Sequence, residues 1–286
     1  MSRAISSLEK DNCYKSGDHM ALLLLPAAIR LLIRVPAIRK FFVGKMPAQG
    51  IYEYIIARTK YIDGVFKGAL AQGFDQILIF GAGFDTRALR FSNEAIKARI
   101  FELDVPSTQN AKINQYRKLN LNVPPNLFFV PIDFDREPLP DKLESAGFDK
   151  EKRSLFILEG LVMYLEPESV DRTFKVIQSY AGKESEIVFD YVYASVLRGE
   201  GLYQDERGIS EAVAKAGEKW SFGVEKGAIK NFLGRYNLKL LDEKDASALE
   251  EMYFTGCGTT DRRSKSSTGT VGLVNGTHCL ARARKE

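Results

Sequence analysis

Short apolar runs alternate with amphipathic stretches along the chain from Gln76 onward. Apolar runs of this length are expected for the strands of a parallel sheet that is covered on both faces. We predict five such strands, at residues 77–80, 99–103, 127–132, 155–158 and 186–192. The stretches between them predict helices, and Pro106 and Pro167 stand where a first-turn proline would. Repeated βα units of this kind predict an α/β fold with a doubly wound, mostly parallel sheet.

Two regions fall outside this alternation. Residues 1–73 are helical in pattern and predict a helical cap, and residues 195–235 are dotted with glycine and predict a further cap or substrate insertion. The segments YNLKLLDE and GTVGLVNGTHCLARAR predict closing strands within residues 236–286, the second with a turn at Asn275-Gly276. We therefore predict one domain, residues 1–286, built around a core at residues 74–194.

The composition limits the class of protein and its location. Of the 286 residues, 45% are hydrophobic and 27% are charged, which is typical of a large globular domain. The 41 basic and 37 acidic residues are spread along the chain, so we expect no nucleic-acid partner, which requires a concentrated basic patch. Three scattered cysteines without a CxxC pair favour a reducing compartment and hence the cytoplasm. Two histidines are too few for a His/Cys metal site, so we expect no metal.

One apolar stretch, from Met20 to Phe42, has the length of a membrane span. Pro26 and Pro36 interrupt it, as do four cationic side chains, whereas a spanning helix needs about 20 mostly apolar residues. Acidic and basic residues precede it, which does not fit a signal peptide. We predict short amphipathic helices that cap a soluble domain, with no integral membrane segment. Contact with a membrane surface is the alternative.

The stretch ILIFGAGFDTRALRF joins the first predicted strand to a glycine turn. Gly81 and Gly83 follow the strand, but Thr86 stands where a dinucleotide-binding turn has its third glycine, and Asp85 precedes it. A dinucleotide places a doubly charged pyrophosphate at this helix start, which a nearby carboxylate would repel. S-adenosylmethionine has no phosphate, and acids attract its sulfonium and ammonium groups. The turn therefore favours S-adenosylmethionine over NAD as the cofactor.

Acidic residues also follow the later strands. In open α/β sheets, ligands bind at the carboxyl ends of the strands, and Glu102, Asp104, Asp133 and Glu159 all lie at such ends. Asp104 comes 21 positions after Gly83, about where an acid meets the ribose hydroxyls of a nucleotide. A single acid at such a place would be explained as a helix cap. The whole series predicts a binding site.

Four segments, GAGFDTRALRF, FELDVPSTQNAK, VPIDF and LFILEGLVMYLEPE, resemble successive motifs of the leucine carboxyl methyltransferase family. ARTKYID, at residues 57–63, resembles the family's element before the first strand, so the resemblance runs from about Ile51 to Val192. The family includes protein C-terminal carboxyl methyltransferases and O-methyltransferases of polyketide biosynthesis. The resemblance implies a Rossmann-like methyltransferase fold, a cofactor-binding core at residues 74–194 and O-methyl transfer from S-adenosylmethionine.

The same resemblance implies roles for individual residues. The positions that match the family's cofactor-binding residues are Arg58, Gly81, Gly83, Asp104, Asp133, Phe134 and Glu159. Arg58 is implied to hold the methionine carboxylate through its planar guanidinium. Asp104 is implied to bind the ribose, and Asp133 with Phe134 the adenine. Glu159 is implied to lie near the amino end of the cofactor.

Tyr164 is the predicted catalytic residue, because by the same resemblance it lies just beyond Glu159 toward the methyl group. A half-buried packing aromatic is the alternative. Lys15 is only a weak match to a lysine that carboxyl methyltransferases acting on proteins place before the first element. Their aromatic-rich stretch is missing here. These departures leave both Lys15 and a protein substrate open.

The number of histidines bears on the methyl acceptor. A carboxylate is ionised at neutral pH and needs no base, whereas a phenol or alcohol needs one. His19 and His278 both fall outside the series of strand-end residues, although Glu159 or His19 could serve as a base. We therefore predict an S-adenosylmethionine-dependent O-methyltransferase of a carboxylate on a small molecule or peptide. A phenol or hydroxyl O-methyltransferase and a non-catalytic S-adenosylmethionine-binding protein are the alternatives, and the oligomeric state is open.

Overall fold

The centre of the fold is a seven-stranded sheet. The computed structural model describes residues 1–203, 205–215, 217–256 and 273–286, and the backbone of 265–266 and 269–270. The strands of the sheet are β1 (Gln76–Phe80), β2 (Arg99–Asp104), β3 (Leu127–Pro131), β4 (Ser154–Leu158), β5 (Glu186–Val192), β6 (Leu238–Lys244) and β9 (His278–Lys285). A separate ribbon pairs β7 (Lys265–Ser266) with β8 (Gly269–Thr270).

The spatial order of the large sheet is β3-β2-β1-β4-β5-β9-β6. Strands β1 to β5 are parallel, and β9 runs antiparallel between β5 and β6. The chain moves outward from β1 through β2 to β3 and then returns to the other side of β1 with β4. This reversal at β1 confirms the predicted doubly wound, mostly parallel sheet.

All five predicted parallel strands are present. The bounds of β5 agree with the prediction, and each of β1 to β4 differs by one residue at one end. Every residue of β1, β4 and β5 is buried. Continuous apolar runs predicted these strands correctly because helices cover both faces of the sheet. The second predicted closing segment ends in β9, and a turn at Gly276 precedes this strand. Part of the beginning of the segment lies outside the described residues.

Helices pack on the sheet and precede it. They are α1 (Ser2–Ser7), α2 (His19–Leu23), α3 (Ala27–Leu32), α4 (Pro36–Gly44), α5 (Ile51–Ala71), α6 (Arg87–Arg90), α7 (Pro106–Lys118), α8 (Leu139–Ser145), α9 (Pro167–Tyr180), α10 (Ala194–Leu197), α11 (Glu206–Lys215), α12 (Ile229–Gly234) and α13 (Ala246–Phe254). Pro106 and Pro167 occupy the first turn of α7 and α9 as predicted. A 3-10 turn, Val162–Tyr164, follows β4.

The core has two apolar layers, one on each face of the sheet. Ile77 and Ile79 of β1 point into the layer that contains α1, α5 and α13. Leu78 and Phe80 point into the opposite layer, with α8, α9 and α12. The alternation of side chains along β1 between the two layers follows from the period of two in a strand. Helix α5 is thus anchored across the first face, where its polar residues reach the carboxyl ends of the strands.

One cysteine does not fit the expectation of a reducing compartment, in which thiols stay free. Cys13 is disulfide-bonded, whereas Cys279 is a buried free thiol. The wide spacing of the three cysteines did not predict this bond, because pairing depends on distance in the fold and not along the chain. In the part of the chain that the structure describes, no helix is long and apolar enough to cross a membrane.

Candidate active site

The glycine turn after β1 brings the backbone close to the end of β4. Gly81 has φ +58° and Gly83 has φ +48°, a left-handed conformation that side-chain-bearing residues rarely adopt. A Cβ on Gly81 would also lie 3.0 Å from Cδ1 of Leu161, just after β4. Both glycines are therefore required by the backbone path, and the turn is left open to a ligand.

A cavity of about 150 Å³ lies beside this turn. Four of the predicted cofactor-binding residues line it, namely Arg58, Gly81, Gly83 and Glu159. Arg3 of α1 and Asp85 also contribute to its wall. Pockets for whole small molecules usually measure about 300–1,000 Å³. This cavity therefore has the size of one end of the cofactor.

Asp104 supports the turn from the neighbouring strand. One carboxylate oxygen accepts a hydrogen bond from the backbone N–H of Gly83, and the other accepts one from Val105 at 2.7 Å. Its exposed fraction is 9%, so the carboxylate reaches the rim of the site. Asp104 thus fixes the conformation of the glycine turn, and its predicted contact with a ribose stays a prediction.

Phe134 and Asp133 follow β3 on the same edge of the sheet. The Phe134 ring stacks on Phe80, the last residue of β1, with centroids 5.6 Å apart. Phe80 lines the cavity beside the glycine turn, whereas Phe134 lines a neighbouring cavity with Asp135 and Arg136. The Asp133 carboxylate is partly exposed and accepts a hydrogen bond from the N–H of Asp135 at 3.1 Å. An apolar ring beside a partly solvated acid suits an adenine with its exocyclic amine.

Two arginines hold Glu159 in its ionised form. Arg58 Nε donates to Glu159 Oε1 at 3.1 Å, and Arg87 Nη1 donates to Oε2 at 2.6 Å. Burial opposes ionisation, but Arg87 and Arg58 outweigh it and hold the pKa of Glu159 well below its ordinary value. Glu159 is therefore a fixed negative charge in the wall of the cavity and cannot act as a base at neutral pH.

Arg87 forms an ion pair with Asp85, the acid in the glycine turn. Arg87 is fully buried and pairs with Asp85, Glu159 and Asp63. The Asp85 carboxylate is thus held in an ion pair with its neighbour two residues on. The sequence pattern did not show this pairing.

Asp190, which the sequence analysis missed, joins the cavity to the cap. Its carboxylate accepts hydrogen bonds from Arg58 Nη1 at 2.7 Å, from Tyr54 Oη at 3.0 Å and from the N–H of Gly160 at 2.6 Å. The side chain is fully buried in β5. An acid inside the apolar run EIVFDYV was the signal that could have revealed it, because a buried charge requires partners.

His278 also lies at this edge, so the placement of both histidines away from the strand ends was wrong. His278 begins β9 and pairs with Val192, at the carboxyl end of β5. An antiparallel strand starts at the edge where its parallel neighbours end, which the sequence pattern could not show. The other histidine, His19, is exposed at the start of α2.

Aromatic rings surround His278. Its ring lies 4.6 Å from that of Tyr54 and 5.3 Å from that of Trp220. Helix α5 is positioned for this contact because Gly50, at its start, accepts a hydrogen bond from the N–H of Asn275 at 3.0 Å. Burial lowers the pKa of His278 to about 4, so the imidazole is neutral at neutral pH.

Tyr164 faces this aromatic group from the other side. Its ring lies 6.5 Å from that of Trp220, edge to face, and it is 36% exposed. Burial raises the pKa of Tyr164, so the phenol keeps its proton at neutral pH. Trp220 Nε1 is buried without a hydrogen-bond partner among the described residues. We use the term acceptor cluster for Tyr54, Tyr164, Trp220 and His278.

Comparison with known proteins identifies the family. The leucine carboxyl methyltransferase family model matches residues 1–178. The chain belongs to this family. The resemblance of its motifs is thereby confirmed, over more of the N-terminus than the motifs alone indicated.

Individual relatives agree with this assignment. The chain is 28% identical over 200 residues to YktD of Bacillus subtilis, a proposed S-adenosyl-L-methionine-dependent methyltransferase, covering 70% of this chain and 66% of that protein. It is 36% identical over 148 residues to another of Mycobacterium avium, covering 52% of this chain and 48% of that protein. These descriptions confirm the predicted cofactor. The chain spans about half to two thirds of the length of the curated relatives it matches.

A solved structure agrees with the fold. The crystal structure of a proposed methyltransferase from Thermobifida fusca superposes with a TM-score of 0.60 at 18% identity. The match covers 93% of this chain and 92% of that one. At this identity the similarity concerns the fold, which is the Rossmann-like methyltransferase fold expected.

Proposed function

We propose that this protein is an S-adenosylmethionine-dependent O-methyltransferase that esterifies a carboxylate of a small molecule or peptide. The observation that carries the proposal is the charge state of the acceptor side. Both acids there, Glu159 and Asp190, are engaged by Arg58, and His278 is neutral with a pKa of about 4. A phenol or alcohol acceptor would lack a base whose pKa is near neutrality. A carboxylate needs none.

The donors of the acceptor cluster support the same acceptor. The Tyr164 hydroxyl keeps its proton, and the Trp220 indole N–H lies beside it without a hydrogen bond of good geometry among the described residues. These O–H and N–H donors can bind one oxygen of the acceptor carboxylate while its other oxygen attacks the methyl group. Tyr164 is then the residue that orients the acceptor, as the family resemblance implied. Trp220 comes from residues 195–235 and Tyr54 from the cap, the two regions expected to determine substrate choice.

The cofactor-binding residues would position the other reactant. Arg58 would bind the methionine carboxylate, and Asp104 would bind the ribose. Gly81 and Gly83 would let the backbone approach the methionine moiety closely. When bound, S-adenosylmethionine supplies a methyl group on a sulfonium, which an acceptor oxygen displaces in line. The chain's own contribution is to hold the two partners in line and to keep water out, through the buried ring of Tyr54 and the partly buried ring of Trp220.

The experiment is a screen of carboxylic acids and phenols with donor labelled in the methyl group. We expect labelled product from a carboxylic acid, and release of the label as volatile methanol after treatment with alkali. A product that survives alkali is an ether and refutes the carboxylate assignment. Cofactor binding without any product would favour the non-catalytic alternative.

A matched pair of variants tests the role of Tyr164. Tyr164→Phe removes one hydrogen bond, worth about 1.4 kcal/mol, so the rate should fall roughly tenfold. Tyr180→Phe is the control, because the Tyr180 hydroxyl bonds to Glu144 on the exposed surface of α8 and α9. Equal rates for the two variants would assign Tyr164 to packing.

A further inference from the structure

Helices α2, α3 and α4 form an exposed apolar surface. None of their residues is buried. Leu31 is 67% exposed and Phe41 is 61% exposed, and three more large apolar side chains on this part of the chain are also exposed. We call these side chains the cap surface, and its members are Leu23, Leu31, Leu32, Val35 and Phe41. Contiguous apolar patches on soluble proteins commonly mark an interaction site.

The charged side chains within the segment that carries the cap surface are all cationic. Between Asp18 and Glu53 the chain has no Asp or Glu, and its cations there are Arg30, Arg34, Arg39, Lys40 and Lys45. Arg34 and Lys40 are exposed and form no ion pair within the part of the chain that the structure describes. Lys45 lies over the ring of Phe41, with its Nζ 5.7 Å from the centroid. Cationic heads therefore stand directly beside the exposed apolar groups.

The arrangement of α4 separates an outer face from an inner one. Phe41 and Lys40 are exposed, whereas Ile38 and Phe42 are partly buried. Arg39, on the inner side, donates from Nη1 to the carbonyl oxygens of Ile33 and Arg34, both at 3.0 Å. These two bonds tie the turn after α3 to α4, so the apolar groups of both helices are held close together.

We propose that the cap surface docks on an anionic lipid surface. Amphipathic helices that lie in the membrane interface bury apolar side chains among the acyl chains and keep Lys and Arg at the headgroups. Each Lys or Arg near an anionic membrane adds attraction, and the segment has Arg30, Arg34, Lys40 and Lys45 besides the inward-facing Arg39. A second copy of this chain fits less well, because a two-fold contact through this surface would bring Arg34 and Lys40 against their own equivalents. The proposal is independent of the reaction proposed above.

Vesicle flotation tests the proposal on the full chain. The vesicles contain either phosphatidylcholine alone or phosphatidylcholine and phosphatidylglycerol in equal parts. We expect binding to the mixed vesicles, weaker binding to phosphatidylcholine alone, and loss of binding as salt is raised, because salt screens the charges. No binding to the mixed vesicles at low salt overturns the proposal.

Two variants with matched exposure identify the surface. Phe41→Ser should weaken binding to the mixed vesicles by roughly tenfold or more, since it removes a large apolar side chain from the interface. Ile96→Ser is the control, because Ile96 is 74% exposed and lies outside the cap surface. Equal loss in both variants, or no loss in Phe41→Ser, overturns the proposal. Unchanged thermal unfolding confirms that each variant is folded.

Sedimentation distinguishes the two molecules that could cover the cap surface, namely a second copy of this chain and a lipid surface. If the wild-type chain self-associates in solution and Phe41→Ser abolishes the association, a second copy covers the cap surface and the lipid proposal is overturned. If a monomer binds the mixed vesicles and Lys40→Glu abolishes that binding, the lipid surface is supported.

Discussion

Replacing His278 by glutamine tests whether the imidazole is buried in its neutral form. Burial lowers the pKa of His278 from 6.5 to about 4 in the folded protein. A folded-state pKa below the unfolded one gives a contribution to stability that is complete above pH 6.5 and is lost as the pH falls toward 4. At 1.36 kcal/mol per pKa unit, the full difference corresponds to about 3 kcal/mol, and most of it is lost by pH 4.5. The stability advantage of the wild type over His278→Gln should shrink by about 2.5 kcal/mol between pH 7.5 and 4.5.

Urea unfolding at a series of pH values measures this difference directly. The other histidine, His19, provides the matched control, because it is exposed at the start of α2 and its replacement removes a histidine without removing a buried side chain. The chain has two histidines, so an NMR titration can follow each imidazole separately. A constant difference between wild type and His278→Gln, or an imidazole that titrates near pH 6.5, would refute the reasoning. It would also make His278 a candidate base for a phenol acceptor.

The remaining predictions concern the cofactor side. Asp104→Ala should weaken S-adenosylmethionine binding by roughly one to two orders of magnitude in calorimetry, since hydrogen bonds to a charged group contribute about 1.5–3 kcal/mol; unchanged affinity in a folded variant would reduce Asp104 to a support of the glycine turn. Bound cofactor should slow proteolysis within residues 1–73, because Arg3 lines the cavity and donates to the carbonyl oxygen of Phe84 at 3.1 Å; equal cleavage rates with and without cofactor would limit this segment to packing.

The sequence predicted the parallel half of the fold well because its signals are local. A strand covered on both faces is an unbroken apolar run, so the positions of β1 to β5 could be read without knowledge of their partners. The strand-end rule then brought Gly81, Gly83 and Glu159 to one cavity, because their placement depends on the order of the parallel strands, which the βα alternation predicts. Arg58 lies on α5 and was expected in the site from the family resemblance, not from the strand ends.

The parts that escaped prediction depend on pairing over long distances. His278 reaches the site because β9 runs antiparallel to β5, and Asp190 is identified as a site residue through Tyr54 and Arg58, which belong to α5. The ion pair between Asp85 and Arg87 depends on the orientation of the buried Arg87 side chain. A pattern along the chain carries no information on such contacts, although a charged residue within an apolar run indicates that a partner must exist.

The position of β9 between β5 and β6 has a consequence for how the chain folds. Glu186 pairs with Arg284 and Val192 with His278, so β5 stays without a partner on this side until the far end of the sequence arrives. Until then β5, a mostly apolar strand, has an unpaired edge, the kind of template on which other chains add strands. Substitutions that delay the docking of β9 should therefore lower the yield of soluble protein through aggregation. Molecules that do complete the sheet should retain their full methyl-transfer rate.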